Sequence, residues 1–75
     1  MQDEKIVKQA NRLIRKIDKA IYKGYAIEEE IYSKENPSEE EVLFVLQVGI
    51  VTGKLFEGRQ AIVEEVFEIP ANTRN

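Results

Sequence analysis

The sequence predicts an all-α protein, an antiparallel helical hairpin with helices over about 3–32 and 39–68 that dimerises into a four-helix bundle. Three features carry that expectation. Apolar or small residues recur at positions 6, 10, 13, 17, 20, 24, 27 and 31, the four-three alternation of helices that supercoil in bundles. Directly after Pro37, Ser38-Glu39-Glu40-Glu41 has the form of a helix-starting capping box. The run from 42 to 51 contains one polar side chain, Gln47, in a chain of which 33% is charged. A helix that is apolar around its whole circumference needs cover on several sides. One partner helix covers one side.

The first helix is expected from Asp3 to about Tyr32, with Val7, Ile14 and Ile21 widening its stripe on one flank. Gly24 lies inside that helix, where glycine costs about 1 kcal/mol relative to alanine. Close approach of a neighbouring helix supplies a reason for it. Ser33-Lys34-Glu35-Asn36-Pro37 forms the turn, because proline disfavours helical geometry at the residue before it. The second helix then starts at the capping box, where three carboxylates in the first turn also complement the positive end of the helix dipole. Its four-three stripe is read at 42, 46, 49, 53, 56, 60, 63 and 67, flanked by Val45, Ile50, Ile62 and Val66. Pro70 ends it. Residues 1–70 make one domain, and 71–75 are expected to be a frayed tail.

Folding the helices back about the turn places position i near position 70 minus i. Gly24 then meets Leu46, Ile17 meets Gly53 and Leu13 meets Phe56. Two other arrangements compete with this one. Gly53 and Gly58 would allow a break near 53–58 and hence three helices, and the β-branched residues of the 42–51 run would suit a β-hairpin turning at Thr52-Gly53-Lys54. The capping box and the alternation continuing beyond Gly58 favour the unbroken helix.

A chain of 75 residues with no cysteine and no histidine is short of stabilising surface, and neither disulfides nor thiolate or imidazole metal sites are open to it. Oligomerisation is the remaining staple. The charged N-terminus has no apolar leader segment, and the ten-residue apolar run is half the roughly 20 residues a membrane span needs. A cytoplasmic protein without membrane association is expected.

Catalysis finds little support. No histidine is present to activate Ser33, Ser38, Thr52 or Thr73. The segment from Gly49 to Leu55 has a superficial likeness to a phosphate loop, but its glycines are one residue too close and no hydroxyl follows Lys54. Clusters at Glu28-Glu29-Glu30, Glu39-Glu40-Glu41 and Glu64-Glu65 lack the alternating ligands of a calcium loop and read as solvated helix faces. No catalytic residue, cofactor or metal ligand is assigned.

Association is the clearer theme. Leu43, Phe44, Val48, Val51 and Leu55 are the candidate oligomer or partner interface, because Leu43, Phe44 and Val48 lie off the internal stripe. Residues 1–25 carry seven bases against three acids, while the remainder carries four against eleven, for a net charge of -3. Arg15, Lys16, Lys19, Tyr22 and Lys23 are the candidate anion or nucleic-acid contact, bases with an aromatic among them. Overall acidity opposes polyanion binding, and Glu28 to Glu30 of a second subunit would neutralise the same face. The expected function is a small homo-oligomeric interaction or regulatory protein without catalytic activity, with nucleic-acid binding through the basic face as the alternative.

Overall fold

A computed structural model describes residues 3–67 as two helices, α1 (Glu4–Tyr32) and α2 (Glu39–Phe67), packed side by side as a hairpin. Helix α2 is unbroken through Gly53 and Gly58, so neither the three-helix arrangement nor the β-hairpin forms. The expected helix end at Glu68, the stop at Pro70 and the tail at 71–75 lie outside the described residues.

Side chains tie down both ends of α1 and the start of α2. Asp3 caps α1, its carboxylate accepting from the backbone N–H of Lys5 at 3.0 Å. At the other end the Ser33 hydroxyl donates to the Glu30 carbonyl at 2.8 Å, and the Ser33 N–H donates to the Glu29 carbonyl at 3.0 Å. The capping box of α2 is complete: Ser38 Oγ accepts from the Glu41 N–H at 3.1 Å, and the Ser38 N–H donates to Glu41 Oε1 at 2.9 Å. Two N–H groups that a helix start leaves without partners are thereby satisfied.

The seam is rotated from the one read off the sequence. In α2 the buried residues are Val45, Thr52 and Val66, with Glu41, Val48, Leu55, Arg59 and Ile62 partly covered along the same stripe and Val63 and Glu64 partly covered beside it. That stripe lies one residue, about 100° of helix rotation, from the expected 42-46-49-53-56-60-63-67. The reason is that α2 is apolar all round in its first half, so any four-three register fits there and periodicity cannot choose the face. In α1 the expected Gly24 and Ile31 are buried and Ala10, Ile17 and Ile27 partly covered, but Ile14 and Ile21, expected on the flank, are buried while Ile6, Leu13 and Ala20 stay exposed. Val48, expected off the seam, is part of it.

The pairing register differs as well. Gly24 lies against Thr52 and Val48, and Arg59 Nε donates to Asp18 Oδ1 at 2.6 Å. Position i therefore sits near position 76 minus i, so Leu46, Gly53 and Phe56 do not meet their expected partners. This register sets the first turn of α2 beyond the end of α1, with residues 33–38 climbing alongside it. Lys34 spans that step and pairs with Glu41.

Candidate interaction surface

Helix α1 carries three apolar rows, and α2 covers two of them. The rows through Val7, Ile14 and Ile21 and through Ala10, Ile17, Gly24 and Ile31 enter the seam. The third, Ile6, Leu13, Ala20 and Ile27 at seven-residue spacing, lies along one flank of the hairpin. Ile6, Leu13 and Ala20 are exposed and Ile27 is partly covered. From α2 the same flank receives Phe44 and Val51, followed at the same spacing by Gly58 and Glu65. In antiparallel helices the residues preceding the seam on each partner share one side. Ala20, Ile27, Phe44 and Val51 accordingly meet across a groove of about 330 Å³.

The floor of that groove is formed by Gly24, Val48, Thr52 and Leu55, with Lys23 and Gln47 at its rim. Gly24 sets its depth. A Cβ there would lie 3.6 Å from Val48 Cγ1 and would run into Thr52 Oγ1, whose hydroxyl donates to the Val48 carbonyl at 2.8 Å. Thr52 is buried with its polar atom satisfied, so the close approach carries no unpaired hydroxyl.

Of the five candidate interface residues, Phe44, Val48, Val51 and Leu55 line this groove. Leu43 is not among them. It lies with Leu46 and Ile50 on the side of α2 turned away from α1. Leu43, Phe44, Leu46, Ile50 and Val51 remain 53–57% exposed, and the molecule is 15 Å through its thinnest direction, so no second layer covers them.

The opposite flank is less uniform. Tyr25, Tyr32, Val42 and Phe56 are exposed there, but Asn11 and the Asp18–Arg59 pair interrupt them. A depression of about 240 Å³ lies between Ile21, Tyr22, Tyr25, Phe56 and that ion pair.

The basic residues Arg15, Lys16, Lys19 and Lys23 and the aromatic Tyr22 are all exposed. Tyr22 is 70% exposed and meets Tyr25 edge-on, with ring centres 6.5 Å apart. Among the described residues none of the four bases forms an ion pair. The Lys34 ammonium, then the Ser38 N–H, hold the Glu41 carboxyl down at about 2. This serves the helix cap. Among the described residues no three carboxylates gather closely enough to hold a metal ion, and no helix is long and apolar enough to cross a membrane.

Sequence reasoning placed Ile6, Leu13, Ala20 and Ile27 in the internal stripe and so missed them as a surface. The signal available was the arc itself, three rows wide where a two-helix seam uses two. No protein-family model, curated protein or solved structure matches the chain.

Proposed function

We propose that this is a non-catalytic, cytoplasmic protein–protein interaction module of regulatory type, acting as a homodimer in which two hairpins form a four-helix bundle. The observation that carries the reading is the flank where Ala20 and Ile27 meet Phe44 and Val51 over an apolar groove. Both helices contribute a row to it, and a second hairpin laid on it has the geometry of a bundle built from antiparallel pairs. Exposed contiguous apolar surface of this kind marks interaction sites. The outer ridge of Leu43, Leu46 and Ile50 lies off the pairing flank and is the surface left for a protein target.

Sedimentation equilibrium of the wild type, Phe44→Asp and Leu43→Asp tests the assignment. The wild type and Leu43→Asp are expected to be dimers and Phe44→Asp a monomer. A wild type that sediments as a folded monomer up to high micromolar concentration contradicts it.

A second reading has its own observation, the strongly exposed Tyr22 set among Arg15, Lys16, Lys19 and Lys23 without ion-pair partners among the described residues. It makes the protein a nucleic-acid-binding regulator. Mobility shifts with RNA and DNA at low salt should then weaken with added salt and with Lys16→Glu or Lys19→Glu. Absence of any shift at low salt removes this reading.

A further inference from the structure

Charge along the hairpin is polarised. The turn end, residues 26–53, carries seven glutamates against one lysine. The open end, residues 3–25 together with 54–67, carries nine bases against six acids. The long axis thus runs from a balance of -6 at the turn to +3 at the open end.

The apolar rows on the pairing flank are polarised too. In α2 the bulky members, Phe44 and Val51, lie in the turn half, and the row then runs out into Gly58 and Glu65. In α1 Ile6 and Leu13 lie in the open half, ahead of Ala20. A second copy laid on the flank in the same direction sets glutamates against glutamates at the turn end. Laid in the opposite direction, it brings each acidic turn onto the other copy's basic end. The twofold then sets α1 against α1 and α2 against α2, so that Phe44 and Val51 of one copy share levels, diagonally across the interface, with Ile6 and Leu13 of the other, and Ala20 and Gly58 allow close approach near the middle.

Resting on the dimer reading above, we infer that the occupant of this groove is a second copy in antiparallel orientation, selected by charge polarity along the hairpin. Aligning Phe44 with Ile6 and Val51 with Leu13 puts the twofold axis level with position 19. The basic face of α1 is then neutralised at its N-terminal end by the other copy's turn glutamates.

Because the chain has no cysteine, single spin labels at Lys8→Cys or Tyr32→Cys report on the orientation directly. The antiparallel dimer separates two like labels by about 30 to 40 Å along the axis, from the rise per helical residue. A parallel dimer holds both label pairs within about 25 Å, given helix spacings of 8–10 Å. Long distances at both sites support the inference. Short distances at both sites overturn the orientation while leaving the dimer in place, and no intermolecular coupling at any concentration removes the dimer and this inference together. As a second readout, K5E/K8E/R12E should weaken dimerisation at least tenfold at low salt with helicity retained. Unchanged affinity, as expected for a parallel pair whose open ends exchange one like-charge contact for another, overturns the inference.

Discussion

Gly24 of α1 sits against Thr52 of α2 at a separation that leaves no room for a methyl group on the glycine. The Thr52 hydroxyl is held against the Val48 carbonyl, so it does not swing aside freely. Alanine at 24 gains up to about 1 kcal/mol of helix propensity but incurs an overpacking cost of about 1–3 kcal/mol. We expect Gly24→Ala to lower stability by about 1 kcal/mol in urea denaturation at fixed protein concentration. In a Thr52→Ala background the same change should raise stability. Additive effects of the two substitutions would show that the contact is not tight.

The start of α2 should be sensitive to acid. The Glu41 carboxyl is held at about 2 by Lys34 and Ser38, against an ordinary value of 4.5. Its contribution is complete above about pH 4.5. It is lost as pH falls toward about 2, because the unfolded chain binds the proton first. The stability difference between wild type and Glu41→Gln should therefore shrink over that window. Ser38→Ala, which removes the cap acceptor, should cost about 1 kcal/mol at neutral pH. A difference that does not change between pH 5 and pH 2.5 would argue against the Lys34–Glu41–Ser38 arrangement.

Gly53 lies on the outer side of α2 with nothing within 4 Å of a Cβ built on it. With an unbroken helix and free space, Gly53→Ala should stabilise by about 0.5–1 kcal/mol. If Gly53 were instead a helix stop, as the sequence also allowed, alanine would destabilise. Thermal unfolding at matched concentration separates the two outcomes.

The parts of the fold legible in the sequence were those with local chemical causes. Pro37 and the reciprocal Ser38–Glu41 bonds fix the start of α2 wherever the rest of the chain goes, and the two-helix architecture followed from them and from the long periodic stripes. Face and register were not legible. Helix α2 offers equivalent apolar faces between 42 and 51, and α1 offers three rows for a two-row seam. The choice is made by side chains acting across the hairpin: Gly24 admitting Thr52, and Arg59 reaching Asp18. Neither leaves a periodic signature. The candidate surface was half legible for the same reason: Phe44 and Val51 were found as excess grease on α2, whereas their neighbours Ala20 and Ile27 were credited to the interior.

That a second hairpin covers the flank of Ala20, Ile27, Phe44 and Val51 is tested most directly by how unfolding depends on concentration. If the folded unit is a dimer, mass action raises the midpoint with protein concentration. We expect the midpoint of thermal unfolding to climb steadily as total protein is raised from about 1 to about 100 μM. A midpoint that stays fixed over that range, with cooperative unfolding of a monomer, would contradict the account.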